Sequence, residues 1–319
     1  MKTVTIENEF IKLTCLSQGA TIISFEDKKL KRNLITSFEE IESYRNDQEF
    51  YLGTTVAPTA GRISQGQFVM DNRIIQLEIN NGPHHLHGGS HGLSSRELNV
   101  TQSNERLEFR GSINHQIDGY PGSVDYLIVY ELKDNQLIIE HHATPFTKMP
   151  LNMANHMYFN LEGSDSILDH ELMVNADKLV LLDETGAPGQ VLLGVKNTVF
   201  DFRNLRPLNQ LLKGHPQFEI SRLLDHAFIF NDDKHLSLQS KELSLDIETT
   251  SDSVVLYTSN FFDGQFVRDN HRVANNYQAI AIETQKIPNG VNTTLDEQPF
   301  HSPENPYYAK TTYTITHRP

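Results

Sequence analysis

Apolar residues recur at alternate positions over short runs along most of the chain, and each run ends at a turn-forming residue. Thr3 to Ile6, Phe10 to Leu16 and Ala20 to Phe25 read as strands separated by Glu7-Asn8-Glu9 and by Gln18-Gly19. Gly66 to Met70 and Arg73 to Ile79 flank Asp71-Asn72, a hairpin signature because both turn residues tolerate the positive φ of a tight primed turn. Arg96 to Thr101 pairs with Arg106 to Ser112, and Ser123 to Leu132 with Gln136 to Ala143. The second half repeats the pattern: His170 to Leu182, the loop DETGAPGQ, Thr198 to Phe202, Ala227 to Phe230, Leu236 to Ser240, Leu243 to Thr249, Val254 to Thr258, Ala279 to Thr284 and Tyr308 to Thr316. Only Leu205 to Leu212 carries a helical pattern, and the acidic stretch Glu39 to Glu49 reads as solvated surface.

With about eighteen such segments and no polar linker or composition shift, the expected fold is all-β: one large antiparallel β-sandwich spanning residues 1–319 as a single domain. A chain of this length should fold to about 13,000 Å² of surface from about 53,000 Å² when extended, so a large core is available without staples. The single cysteine, Cys15, excludes an internal disulfide and a cysteine-based metal cluster. The N-terminus lacks a signal-like pattern and no apolar run reaches the length of a membrane span, so a cytoplasmic, membrane-free location is expected. Forty-one acids against 27 bases, a net charge of −14, leave no basic stripe for nucleic acid or anionic lipid and favour a neutral small molecule.

Candidate chemistry concentrates in five places. The stretch PLNMANHMYFNLEG, read as a strand, places His156, Tyr158 and Asn160 on one side and Asn155, Met157 and Phe159 on the other. A lone histidine there would ordinarily be a buried ring bonded to backbone, but it has company: Arg62 in AGRI, His84, His85 and His87 before Gly88-Gly89, Asp225 before a strand, and Glu283 at the end of another. On extended backbone His85 and His87 point the same way and could share an ion, but no acidic or cysteine spacing completes a ligand set, so no metal is expected. No serine sits in a Gly-x-Ser-x-Gly elbow, and Cys15 lies in an alternating strand where an inert buried thiol is the simpler reading.

In this order along the chain the motifs AGRISQGQF, NNGPHHLHGG, PLNMANHMYFNLEG, LLDHAF, YTSNFFDG and IETQKIPNGVN resemble those of the aldose 1-epimerase (galactose mutarotase) family. The resemblance implies a galactose mutarotase-like β-sandwich with an aldose in an open cleft on one sheet. It implies Glu283 as catalytic base, His156 as catalytic acid, Arg62 and His87 as hydrogen-bond donors to the sugar, Asp225 as an acceptor, and no cofactor. With ordinary pKa values, an ionised Glu283 and a protonated His156 coexist in mildly acidic to neutral water. Gly61 stands where the family usually has Asn, Pro58 where it has an earlier Arg, His84 where Asn is common, and Leu93 and Leu98 where it has Phe and Trp; these departures are expected in the wall that grips the far hydroxyls. A sugar-phosphate epimerase and a non-catalytic sugar-binding protein on the same fold are the alternatives, the first disfavoured by the scarcity of basic residues near the motifs and the second by the retained acid and base. Monomer and homodimer both remain open.

Overall fold

The computed structural model describes residues 1–296 and 298–319. Two large antiparallel sheets face each other. The first has nine strands in the order Asn99–Ser103, Arg106–Asn114, Ser123–Lys133, Gln136–Pro145, Tyr307–His317, Leu243–Thr249, His235–Gln239, Glu171–Val174 and Arg206–Pro207. The second has six, in the order Tyr158–Phe159, Ile280–Gln285, Ser253–Tyr257, Asp225–Ile229, Lys178–Leu182 and Pro188–Gly194. Thr3–Glu7, Ile11–Leu16, Thr21–Asp27 and Arg32–Asn33 form a separate four-stranded sheet. The surface is 13128 Å², close to the value expected from chain length.

Alternation decides which sheet face meets which. In Tyr307–His317 the buried Tyr307, Ala309, Tyr313 and Ile315 point toward the six-stranded sheet, whose Ile280, Ile282, Val254, Leu256 and Phe228 complete the same apolar core. Thr284 joins across the interior by a 2.7 Å hydroxyl contact to Thr311. The opposite face of Ile280–Gln285 carries Ala281, Glu283 and Gln285, all buried, so this strand has one apolar face in the core and one mostly polar face beneath a cleft. Replacing Ile282 by Ala at that junction would cost about 2–5 kcal/mol.

The hairpins fold as their turns dictate. Asp71 and Asn72 take φ of 50° and 61° between Gln67–Met70 and Arg73–Gln76, and Asn104 and Asp134 adopt positive φ at the other two turns. Several expectations need correction. His170 to Leu182 is two strands, because the chain leaves the nine-stranded sheet after Val174 and enters the six-stranded one at Lys178. Part of DETGAPGQ belongs to the strand Pro188–Gly194, which pairs with Lys178–Leu182 across an irregular register. Thr198 to Phe202 is a turn, held by the Thr198 hydroxyl donating to the Val195 carbonyl and accepting from the Phe200 N–H, while Phe200 and Phe202 anchor it in the core. The expected helix at Leu205 to Leu212 is the 3₁₀ segment Leu208–Lys213, since Pro207, itself paired in a strand, prevents helix from starting earlier. Ile41–Asn46 within the acidic stretch is also 3₁₀.

Candidate functional site

The segment around His156 is not one strand but three two-residue pairings, Met149–Pro150, Ala154–Asn155 and Tyr158–Phe159, each with a different partner. Its alternation survives: Met157 and Phe159 enter the main core while the His156 and Tyr158 rings, 4.9 Å apart, face the cleft. Backbone bonds fix the histidine, whose N–H donates to the Thr54 carbonyl at 2.8 Å and whose carbonyl accepts from the Gly53 N–H at 3.0 Å. Asn155 reinforces this by donating to the Gly53 carbonyl and accepting from the Met157 N–H. Tyr51, in a left-handed conformation (φ 52°), lays its ring 4.7 Å from His87 and 6.2 Å from His156.

Glu283 projects from the neighbouring strand so that its Oε1 lies 3.3 Å from His156 Nε2. Its Oε2 accepts a 3.2 Å bond from the Gln285 amide, and Gln285 is held in turn by the Asn152 amide at 3.0 Å. Burial and the negative charge of Asp225 push Glu283 up to about 8, against the smaller downward pulls of Arg62 and Gln285. Burial pulls His156 down to about 4, and its Nδ1 has nothing but its own residue's carbonyl close by. The ordinary pKa values assumed from sequence therefore do not hold. Near neutral pH the pair holds one proton between a neutral carboxyl and a neutral imidazole, and the ion pair is the other arrangement of that same proton.

All five residues singled out from the sequence border one cleft of about 340 Å³: Arg62, His87, His156, Asp225 and Glu283. The Arg62 guanidinium sits 3.6 Å from Asp225 and donates to the Asn81 side chain and the Gly186 carbonyl. His87 accepts a 3.2 Å bond at Nδ1 from the Gly61 N–H, so in its neutral form the proton resides on Nε2. Burial, with the nearby His156 and Arg62, holds His87 well below the usual imidazole range. A ligated metal would need the Nε2 lone pair of His87 and a proton on Nδ1, which would confront the Gly61 N–H. His87, His156 and Glu283 do bring ligand atoms within 4.8 Å of one another, but with Nδ1 accepting from the Gly61 N–H, neutral His87 turns an N–H rather than a lone pair toward the cleft. The pairing of His85 with His87 fails, because the left-handed His87 (φ 51°) breaks the extended run. His85 spends both ring nitrogens elsewhere, on the Glu78 carbonyl and the Tyr120 hydroxyl.

Of the departures expected to shape the sugar wall, only Gly61 borders the cleft, at φ 76° and so close to Pro288 that a Cβ would lie 2.6 Å from it. Leu93 and Leu98 are in the core, and His84 is tied to the Gln65 N–H and the Thr185 carbonyl. Sequence reasoning passed over Gln285 and Asn152, although Gln285 lies two residues from Glu283 on the same strand face, the one signal that points to it. It also passed over Tyr257 and Phe261, which wall the cleft and sit within the motif YTSNFFDG.

The family described as aldose 1-epimerase matches residues 2–314. The chain is 34% identical over 307 residues to an aldose 1-epimerase of Haemophilus influenzae, covering 91% of this chain and 87% of that one. It is 30% identical over 298 residues to a galactose mutarotase of Sus scrofa, covering 90% and 86%. Among solved structures, an aldose epimerase homologue from C. elegans superposes with a TM-score of 0.91 at 31% identity, covering 100% and 99% of the two chains. A galactose 1-epimerase from Lactobacillus acidophilus superposes at 0.87 and 29% identity, covering 99% and 94%. A mutarotase-like sandwich and matches over nearly the whole length place this chain in the aldose 1-epimerase family, whose members are carbohydrate isomerases.

Proposed function

We propose that this aldose 1-epimerase acts on a neutral hexose such as galactose or glucose, with Glu283 as base and His156 as acid. From the ion-pair arrangement of the shared proton, ionised Glu283 takes the proton from the C1 hydroxyl while protonated His156 gives one to the ring oxygen, the bond between C1 and the ring oxygen breaks, and a free aldehyde forms beside the neutral pair. Rotation about C1–C2 presents the other aldehyde face; Glu283 then returns its proton to the aldehyde oxygen and His156 recovers its own as the ring closes. Electrons and protons balance without a cofactor or a metal.

The observation that carries this reading is the 3.3 Å contact between Glu283 and His156, a buried acid and base sharing one proton in a sugar-sized cleft. His87, with its proton on Nε2, and Arg62 act as donors to the sugar, and Asp225 as an acceptor. No helix of the described residues is long and apolar enough to cross a membrane. The apolar core running from Val4 to Ile315 supports a single domain. Sugar phosphates are not favoured: Arg62 is already paired with Asp225, and Glu49 and Asp225 border the same cleft.

Polarimetry tests this directly. Freshly dissolved α-D-glucose and α-D-galactose should relax to anomeric equilibrium faster with enzyme, unchanged by a chelator, and glucose 6-phosphate should show a kcat/KM at least about tenfold lower, the cost of an unpaired charge in an acidic cleft. No acceleration with any neutral hexose would refute the proposal.

A further inference from the structure

We propose that Glu78, His91 and Asp118 form a binding site for a divalent transition-metal ion of the zinc class, apart from the sugar cleft. The three come from separate segments: Glu78 follows the strand Arg73–Gln76, His91 ends the histidine loop, and Asp118 closes the 3₁₀ turn Gln116–Asp118. Each offers one ligand atom, and the three atoms lie within 4.8 Å of one another. Bonds of about 2.0–2.2 Å to a tetrahedral ion place neighbouring ligands roughly 3.3 Å apart, so small side-chain shifts close the set. None of the three borders the cleft that holds Glu283 and His156.

Two observations point to a cation here. Asp118 is 1% exposed, yet its Oδ2 has no hydrogen-bond partner; it faces His115 Nδ1 across 4.0 Å, and that nitrogen is also buried and without one. A buried carboxylate oxygen left so costs free energy unless a donor or an ion meets it. The second is the convergence of two carboxyls on Gly89, where a Cβ would lie 2.8 Å from Glu78 Oε2 and 3.1 Å from Asp118 Cγ. Among the described residues neither carboxyl has a lysine or arginine as ion-pair partner. Glu78 instead accepts from the Ser90 N–H at 2.7 Å and hydroxyl at 2.6 Å, and Asp118 Oδ1 from the His91 N–H and ring. These bonds fix the carboxylates and leave each a lone pair for an ion. The His91 side chain, 47% exposed, is the open side through which an ion enters. One imidazole with two carboxylates suits zinc or cobalt rather than calcium or magnesium, which prefer oxygen alone. On uptake the ion replaces the proton that lies between His91 Nδ1 and Asp118.

The full-length protein, stripped with a chelator and freed of it by gel filtration, is titrated with zinc chloride in a calorimeter while the thermal midpoint is followed in parallel. One equivalent should bind, and the midpoint should rise by about 3–5 °C at a hundredfold excess over Kd. His91→Ala and Glu78→Gln should each weaken zinc binding by at least about tenfold and cancel that rise, with kcat/KM for α-D-galactose within about twofold of the parent. Glu283→Gln, which removes a carboxylate from the histidine cluster in the cleft, should bind zinc as the parent does. The exposed His91 can be truncated without disturbing the core, so the test does not hinge on a variant that fails to fold. Absence of saturable binding up to about 100 µM zinc overturns the proposal, as does either His91→Ala or Glu78→Gln binding zinc like the parent. Loss of the ion in Glu283→Gln alone would place it in the cleft and overturn the proposal equally.

Discussion

Asp118 and Glu283 are both buried carboxyls that meet histidines, and they behave in opposite ways. Asp118 is 1% exposed and Glu283 3% exposed, so burial raises both. At Asp118 that rise is more than offset by the nearby His115 ring, by the His91 ring at 3.0 Å and by the His91 N–H, and the group ends below the usual carboxylate range. Glu283 has one amide donor, a neutral imidazole and a second carboxylate nearby, and is pushed up to about 8. Asp118 has the more donors and, despite its similar exposure, is the less deeply buried of the two. Asp118 accepts two bonds from His91 at Oδ1, faces the His115 ring at 4.0 Å with Oδ2, and braces the turn between the histidine loop and Gly119; Glu283 is left holding a proton.

Substitution should expose the contrast most strongly. Glu283→Gln keeps the shape and the Gln285 contact, and kcat/KM should fall by about 10²- to 10⁴-fold. Asp118→Asn should instead lower the thermal midpoint and leave kcat/KM of the folded enzyme within about threefold, since its losses are hydrogen bonds remote from the cleft. Equal activity losses in both variants would erase the distinction.

The two neighbouring histidines of the loop sharpen it. His87→Ala removes a donor to a group that gains charge, a loss of roughly 1.5–3 kcal/mol, so kcat/KM should drop about tenfold to a hundredfold. His85→Ala breaks bonds to Glu78 and Tyr120 behind the cleft and should act chiefly on the thermal midpoint.

A smaller effect lies in the pH dependence of stability. A carboxyl raised by folding from about 4.5 to about 8 contributes stability that is whole below the unfolded value and is lost as pH rises through the folded one. Glu283→Gln should therefore match the parent's thermal midpoint near pH 4 and exceed it by a few degrees at pH 9. A gain that is constant with pH would mean that Glu283 is not strained as an anion.

Much of the fold was legible because antiparallel strands with one wet face announce themselves by alternation, as Tyr307–His317 and the hairpin at Asp71-Asn72 do. What escaped were elements set by tertiary context: Pro188–Gly194, which carries no strong alternation, the sheet switch after Val174, and the four-residue helix Phe218–Ser221. At the site, the five residues gathered by motif resemblance do meet in one cleft. Their protonation was not legible, since reference pKa values carry no information on burial, and the Asp225 charge that raises Glu283 and the Asn152 amide that holds Gln285 come from residues distant in sequence. His84 and Leu98 looked like wall residues only because linear position does not say which side of a loop faces the sugar.

The central claim is that Glu283 and His156 share one proton across the working pH range, and the pH profile of kcat/KM for α-D-galactose tests it most directly. The account predicts a plateau bounded by an acid limb near 4, where the pair takes a second proton, and an alkaline limb near 8, where it loses its only one. Asp225→Asn should move the alkaline limb downward, because the charge that raises Glu283 is gone. A narrow optimum confined between about 4.3 and 6.5, the ordinary values for these side chains, would contradict the account, as would a profile with no limb near 8.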